Sequence, residues 1–254
     1  MFDIPLFSAS PFWYAGLIWA LVMGWAASSY ASNFSYRLPR QETPFGREPY
    51  CGDCDVKLTP RDLFPVFSWA LTGGKCRNCG AQVPCSYFLL ELLYMPYIGL
   101  CYIAFGFGDM FLLMGFAAML LQISAMMAWD DDYVSSNVTV ILLAAGLIFQ
   151  ILQGNLLVDG LMGIFFGLFG ALLLYAMIER KSPPKDVYVL PKWIWLLAAT
   201  GAWLNAHTML VFIGVGATLL LVSRVLGIKK PIPAMIVVAQ APALLLALWW
   251  GLAS

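Results

Sequence analysis

Long apolar runs alternate with shorter polar connections along most of the chain. Most of these runs approach the ~20 residues that a helix needs to cross the hydrocarbon core of a bilayer. The pattern therefore predicts an all-α polytopic membrane protein with about eight transmembrane helices. The run at 193–204 is short for a straight crossing. The eight predicted spans are residues 12–32, 87–105, 110–129, 138–153, 156–178, 193–204, 209–226 and 234–252.

The longest polar connection, within residues 33–86, carries two cysteine pairs. Cys51 and Cys54 form one Cys-x-x-Cys pair, Cys76 and Cys79 form the second, and 21 residues separate them. This spacing is typical of a four-thiolate zinc ribbon, in which each pair lies on a tight turn and both pairs converge on one tetrahedral ion. The alternatives are two structural disulfides or four unrelated thiols. We predict a small zinc-ribbon domain inserted between the first and second spans.

The composition agrees with a membrane protein. Apolar residues make up 61% of the chain and charged residues 11%, whereas soluble domains contain about 25% charged residues. We expect the lipid bilayer as a partner and no nucleic acid. Three regions are predicted: residues 1–32 as the first transmembrane helix, 33–86 as the ribbon domain, and 87–254 as a helical membrane domain.

The placement of positive charge predicts the topology. If the chain crosses the membrane eight times, all fourteen lysine and arginine residues lie on one side. The positive-inside rule makes this side cytoplasmic, so the ribbon is expected in the cytoplasm and both termini outside. The cytoplasm is reducing, which favours a metal site over disulfides at the cysteine pairs.

Three consecutive aspartates, residues 130–132, follow the third span at its cytoplasmic end. One interpretation is a solvated acidic turn between two helices. The other is acid/base chemistry, because two close carboxylates that share a proton can activate a water molecule. A carboxylate at a membrane boundary is a reasonable candidate for function, and both interpretations remain open at this point.

Acid/base chemistry requires a second carboxylate at the same membrane depth. Asp109 belongs to a Gly-x-Gly-Asp sequence, but about 30 Å of helix separates it from Asp130, so these two residues cannot share a proton. Asp186, in the connection before the sixth span, could fold back towards Asp130. Glu91 lies one turn inside the second span and is expected to be a structural partner for a ribbon arginine.

Several segments resemble the bacterial type IV prepilin leader peptidases, a family of membrane aspartic proteases. Residues 29–39, which end in Arg-Leu-Pro, resemble the family's segment at the exit of the first span. Residues 51–54, 62–69 and 74–80 follow the family's ribbon, and residues 87–91 resemble the stretch that closes it. The order of these pieces matches the family as well.

The resemblance implies catalytic residues. Trp129-Asp130-Asp131-Asp132 resembles the first catalytic motif, and Asp130 corresponds to its aspartate. The second family aspartate lies in a Gly-x-Gly-Asp sequence just before a segment similar to residues 196–203. Here Leu-Pro-Lys-Trp, residues 190–193, stands in its place. Asp186 is the nearest substitute and is predicted as the second catalytic residue.

The resemblance also implies a function. The chain would remove the leader peptide from prepilin or pseudopilin proteins at the cytoplasmic face of the bacterial inner membrane, with residues 87–254 as the aspartic-peptidase-like domain. Family members often also methylate the new N-terminus, with S-adenosylmethionine as cofactor. The zinc ion would be structural.

Two rival functions are compatible with the sequence. One is a non-catalytic relative that binds pilin-like segments or assembly partners, which the altered second motif favours. The other is a small transporter. This is the weaker rival, because the predicted spans carry almost no ionisable residues to form a polar pathway. The sequence does not indicate an oligomeric state.

Overall fold

The structure, a computed structural model, describes residues 11–45, 48–64, 66–155, 157–179, 191–204, 206–225, 227, 235–240, 243–244 and 246. These residues are mostly helical, and the only bridges among them are two isolated ones in the ribbon. The predicted all-α fold with a ribbon inserted after the first helix is confirmed. The helices are α1 (Pro11–Arg37), α2 (Phe67–Thr72), α3 (Cys85–Phe105), α4 (Asp109–Asp130), α5 (Ser136–Leu152), α6 (Leu157–Glu179), α7 (Lys192–Gly201) and α8 (Ala206–Val225).

Seven of the eight predicted spans correspond to these helices, and α2 is a short addition inside the ribbon. Within the described residues, α1, α3, α4 and most of α6 are long and apolar enough to cross a membrane, whereas α5 and α8 contain shorter apolar stretches. Residues 235–240 are helical where the eighth span was predicted. The predicted catalytic residue Asp186 lies outside the described residues.

The chain divides into two compact units, Met1–Asp131 and Asp132–Ser254. In the first unit, α1, α3 and α4 pack against one another, and α4 is the most buried of the candidate spans. Small residues bring α1 and α3 close together: a Cβ on Gly24 would lie only 2.9 Å from the Cβ of Ile98. A polar contact joins α1 to α4, since the Gln122 amide donates to the Ser28 hydroxyl at 2.9 Å. Buried hydrogen bonds of this kind hold helices together where the hydrophobic effect between them is weak.

In the second unit, α6 and α7 cross with their backbones in contact. A Cβ on Gly163 would lie 2.1 Å from the Gly201 carbonyl oxygen, and a Cβ on Gly201 would lie 2.2 Å from the Gly163 carbonyl oxygen. Glycine at both positions therefore sets the distance between these helices. The indole of Trp203, just after α7, donates to the Leu142 carbonyl of α5 at 2.9 Å. The segment that resembles the family at 196–203 is thus a packing element.

Substitution of Gly163 by alanine tests this crossing. The added methyl group meets backbone atoms that cannot rotate away, so the helices must separate, and we expect a loss of about 1–3 kcal/mol in unfolding free energy. Gly170→Ala is the matched control, because a Cβ there would have no heavy atom within 4 Å. Thermal unfolding of both variants in lipid nanodiscs measures the difference. Equal melting temperatures would contradict a crossing fixed by Gly163.

Candidate functional site

The two cysteine pairs lie on turns of the same construction. The Cys51 amide donates to the Val56 carbonyl at 3.0 Å, and the Cys76 amide donates to the Ala81 carbonyl at 2.8 Å. An isolated antiparallel bridge flanks each turn, Tyr50 with Lys57 and Lys75 with Gln82. Every one of these positions in the second turn follows its counterpart in the first by 25 residues. The ribbon is therefore a structural repeat of one turn, which gives the four thiols a symmetrical arrangement.

The four cysteine sulfurs converge. Cys51, Cys54, Cys76 and Cys79 place their Sγ atoms within 4.8 Å of one another, and the Cys51 and Cys79 sulfurs are 3.9 Å apart. A tetrahedral zinc ion with Zn–S bonds of ~2.3 Å requires sulfur–sulfur distances of about 3.8 Å. All four cysteines are free rather than joined in disulfides. The cluster thus has the ligand set and the spacing for a metal ion with four thiolate ligands.

The turns favour the thiolate form that a metal requires at Cys54 and Cys76, whereas the pKa values of the Cys51 and Cys79 thiols are raised. The backbone N–H groups of Cys79 and Asn78 point at the Cys76 sulfur and lower the pKa of its thiol to about 7. The Asn78 side-chain amide donates to the Cys54 sulfur at 3.5 Å and lowers the pKa of that thiol. Burial has the opposite effect on Cys51 and raises the pKa of its thiol. A bound cation would offset this cost of burial, because thiolate is the ligand form of cysteine.

Arg37 organises the start of the ribbon. Its side chain is buried, with 1% of the residue exposed, at the C-terminal end of α1. The guanidinium donates to the carbonyl oxygens of Pro44 at 3.2 Å and Glu48 at 3.1 Å, with a longer contact to Thr43 at 3.5 Å. It also lies 5.8 Å from the centre of the Tyr50 ring. One side chain thus fixes the chain between the first helix and the first cysteine pair.

Glu91 anchors the middle of the ribbon to α3. Its carboxylate accepts a hydrogen bond from the Val66 backbone N–H at 3.0 Å and a weaker one from the Ser32 hydroxyl at 3.5 Å. Val66 has φ of 62° and precedes α2, so Glu91 satisfies a backbone donor at the start of that helix. The hydrogen bonds that the structure gives Glu91 go to a backbone amide and a hydroxyl, not to the ribbon arginine that was expected.

Asp62 connects the second cysteine turn to the middle of the ribbon. It forms an ion pair with the Arg77 guanidinium at 3.1 Å and accepts from the Thr59 amide at 3.0 Å and the Thr59 hydroxyl at 2.5 Å. The Thr59 hydroxyl is the main reason why the pKa of Asp62 is lowered.

The Trp69 indole donates to the Val83 carbonyl at 3.1 Å, which connects α2 to the last segment of the ribbon before α3.

Asp130 is the last residue of α4 and is exposed. The Ser86 hydroxyl, in the first turn of α3, contacts both carboxylate oxygens, at 2.9 Å and 3.1 Å. Because α3 begins directly after the ribbon, this contact places Asp130 at the ribbon end of the first unit. The sequence reasoning missed Ser86. Its position next to a predicted span boundary was the available signal.

The neighbouring aspartates have different surroundings. Asp131 forms an ion pair with Arg40, with nitrogen–oxygen distances of 3.3 Å and 3.4 Å. Arg40 also stacks over the Tyr36 ring at 3.9 Å and donates to the Tyr36 carbonyl at 2.7 Å. Asp132 has a positive φ of 49°, so the chain turns sharply there. Asp109 begins α4, at the opposite end from Asp130, as its spacing predicted.

The altered second motif lies at the start of α7. Leu190 and Asp186 lie outside the described residues, so no contact between Asp130 and Asp186 is described. Lys192 is the first residue of α7, and its ammonium lies 5.0 Å from the centre of the Tyr133 ring. Trp193, at the position of the family aspartate, is buried.

Comparisons with known proteins agree with the ribbon and the helices around it. The model of the Bacterial Peptidase A24 N-terminal domain matches residues 22–105. Proteins named prepilin leader peptidase/N-methyltransferase are 28% identical over 182 residues in Neisseria gonorrhoeae and 29% identical over 197 residues in Aeromonas hydrophila. The chain is thus similar to proteins named as prepilin leader peptidases over part of its length. No solved structure matches it.

The matches to these prepilin peptidases are partial. They cover 69% of this chain and 61% of the Neisseria protein, and 72% of this chain and 65% of the Aeromonas protein. A Vibrio cholerae protein of the same name is 27% identical, over 43% of this chain and 47% of its own length. The chain therefore spans less than two thirds of the length of these curated relatives.

Replacement of Arg37 by lysine tests its role in the ribbon. An ammonium group cannot reach the separated carbonyl oxygens as the planar guanidinium does, so we expect about 1–3 kcal/mol of stability to be lost. Lys57→Ala is the control, because its ion pair with Glu48 is exposed and such pairs contribute little. Thermal unfolding in nanodiscs checks both variants. A loss in Lys57→Ala as large as that in Arg37→Lys would argue against the assigned role.

Proposed function

We propose that this chain is a membrane aspartic endopeptidase that removes the leader peptide from type IV prepilin-like proteins. The observation that carries the proposal is Asp130, exposed at the ribbon end of α4 with its carboxylate held by the Ser86 hydroxyl. The names of the relatives support the same activity. Asp186 is proposed as the second catalytic carboxylate.

The proposed reaction needs no covalent intermediate with the enzyme. One carboxylate, ionised, accepts a proton from water while the water oxygen bonds to the scissile carbonyl carbon. The other, protonated, donates to the carbonyl oxygen and so stabilises the charge that develops there. When the tetrahedral intermediate collapses, the C–N bond breaks and the leaving amine takes a proton.

The proposed location is the cytoplasmic face of the bacterial inner membrane. All the lysine and arginine residues lie on one side of an eight-span topology, which the positive-inside rule makes cytoplasmic. Asp130 belongs to that side, together with the ribbon. The adjacent acidic residues would attract the basic leader of a prepilin or pseudopilin.

Zinc is proposed as the metal of the ribbon, with a structural role. Four thiolates complete a tetrahedral shell and leave no position for a substrate or a catalytic water. Zinc would hold the two cysteine turns together, and Cys51, Cys54, Cys76 and Cys79 would be its ligands. Methylation of the new N-terminus from S-adenosylmethionine would be a second activity.

A second candidate function is a relative that binds pilin-like segments without cutting them. The start of α7 favours it, because Lys192 and the buried Trp193 occupy the positions of the family's glycine and aspartate. A tryptophan cannot donate or accept the catalytic proton. In this case the ribbon and the helices would serve recognition or assembly.

Cleavage of a tagged prepilin by proteoliposomes of the purified protein distinguishes the two functions. We expect wild type to cleave, and Asp130→Asn and Asp186→Asn each to lower the rate by at least ~100-fold, because each removes a proton-transfer group. Asp109→Asn is the control, since it changes a carboxylate at the other end of the same helix.

The outcomes separate cleanly. Loss in Asp130→Asn alone would reject Asp186 and direct the search for a partner to Asp131, Asp132 and Glu179. Absence of cleavage by folded wild type across several prepilins, with retained binding, would favour the non-catalytic function.

The zinc site makes its own prediction. The purified protein should contain one zinc ion per chain, and Cys76→Ser should lose it, whereas Cys85→Ser, outside the cluster, should retain it. Zinc affinity should fall as the pH is lowered, because protons compete with the metal for the thiolates. Metal analysis and titration against a chelator measure both effects. Zinc retained in Cys76→Ser would contradict the assigned ligands.

A further inference from the structure

The middle of the ribbon is apolar in an otherwise polar domain. Residues 63–74 contain no ionisable side chain, whereas Arg61 and Asp62 precede them and Lys75 follows. We call these residues the apolar ribbon segment. Apolar stretches of about 10–14 residues are too short to span a bilayer and are typical of buried core helices or of interfacial and re-entrant elements. The exposure of their side chains decides between these classes.

Three large apolar side chains of the segment are exposed, whereas Trp69 is half-buried and stacks on Phe88. Phe64, Phe67 and Leu71 have 46%, 61% and 80% of their surfaces exposed. Their spacing of three and four residues places Phe67 and Leu71 on one face of α2, with Phe64 leading into it. Because these side chains are exposed, the segment is not a buried core helix. If the ribbon were fully immersed in water, this apolar face would contact solvent.

The segment lies alongside membrane-spanning helices rather than beyond their ends. The Phe64 ring packs edge-on against the Trp25 ring of α1, with centroids 4.3 Å apart. Trp25 precedes the end of α1 at Arg37 by twelve residues, or ~18 Å of helix. Glu91, which binds the Val66 amide, lies six residues into α3, or ~9 Å from its start. Both contacts therefore fall within helices that are apolar and long enough to cross a membrane.

The polar groups at the ends of α2 are satisfied inside the protein. Glu91 accepts from the Val66 amide at the start. At the end, the amides of Gly73 and Gly74 donate to the carbonyls of Ala70 and Trp69. The Thr72 hydroxyl donates back to the Ser68 carbonyl at 2.8 Å. Such internal pairing is what a helix needs where water is scarce.

We propose that the apolar ribbon segment is inserted into the lipid bilayer at the ribbon end of the spans. Trp69 of α2 stacks on Phe88 of α3, with ring centroids 4.9 Å apart, and α3 exposes the apolar side chains of Leu89, Leu92 and Leu93. The charged cysteine turns on either side of the segment remain in water. The bilayer thus holds the ribbon at a fixed height beside α1 and α3. This inference rests on the membrane-spanning character of the helices and is independent of peptidase activity.

Fluorescence quenching in lipid nanodiscs tests the insertion. A fluorescent amino acid is incorporated singly at positions 67 and 71 of the full chain, with position 93 as the lipid-facing control and position 53 as the aqueous control. The bilayer is phosphatidylethanolamine and phosphatidylglycerol, with or without bromine atoms on the acyl chains close to the headgroups. We expect brominated lipid to quench positions 67 and 71 as it does 93, and iodide quenching there to be several-fold weaker than at 53.

Two results would overturn the proposal. Iodide quenching at 67 and 71 as strong as at 53 would place the segment in water. Protection from both quenchers would show that a protein surface, such as a second copy or a bound pilin, covers it instead of lipid.

A substitution in the otherwise native chain gives a second measurement. Leu71 is 80% exposed, so Leu71→Asp would be harmless in water but costly against acyl chains. Leu71→Ala is the control, because it removes the same exposed side chain without placing a charge there. We expect Leu71→Asp alone to lower the melting temperature in nanodiscs. Unchanged melting temperatures in both variants would reject insertion even if the labelled proteins fail to fold.

Discussion

Where the chain leaves a membrane helix, its backbone N–H and C=O groups need hydrogen-bond partners. Two charged side chains supply such partners in the ribbon. The Arg37 guanidinium donates hydrogen bonds to carbonyl oxygens of the chain after α1, and the Glu91 carboxylate accepts one from the backbone amide just before α2. An unpaired backbone group buried away from water costs about 1–3 kcal/mol, so these contacts decide which path the chain follows. The cysteine turns can converge because both ends of this path are fixed. The convergence of the cysteine cluster therefore depends on Arg37 and Glu91 as well as on its own cysteines.

The parts of the fold that the sequence predicted are those carried by repeated or paired signals. Apolar runs predicted the helices, because a lipid environment leaves few alternatives to a helix. The spacing of Cys51 with Cys54 and of Cys76 with Cys79 predicted a cluster that the structure brings together. The partner of Glu91 could not be predicted in the same way. Its contact is a backbone amide, which has no residue type to recognise, and charge pairing suggested an arginine instead.

The contacts of the three aspartates at residues 130–132 also could not be predicted from the sequence. Three identical aspartates give the sequence no means to rank them, but the structure gives them different neighbours. Asp131 is paired with Arg40, which neutralises it, whereas Asp130 receives the Ser86 hydroxyl. The structure thus distinguishes aspartates that the sequence alone leaves equivalent.

Residues 190–193 contain no aspartate where the family resemblance would place one. A second carboxylate must therefore come from another part of the chain. Two carboxylates share a proton only when they lie within a few ångströms of each other, so a partner for Asp130 must come from the same end of the spans. Trp193 cannot serve, and its burial at the start of α7 shows that the position is used for packing. Asp109 and Asp159 follow connections on the opposite side of an eight-span topology. If the chain has the proposed eight-span topology, the connection that carries Asp186 lies on the same side of the membrane as the ribbon. Catalysis by a dyad therefore requires a residue of that connection or a neighbour of Asp130 to replace the lost aspartate.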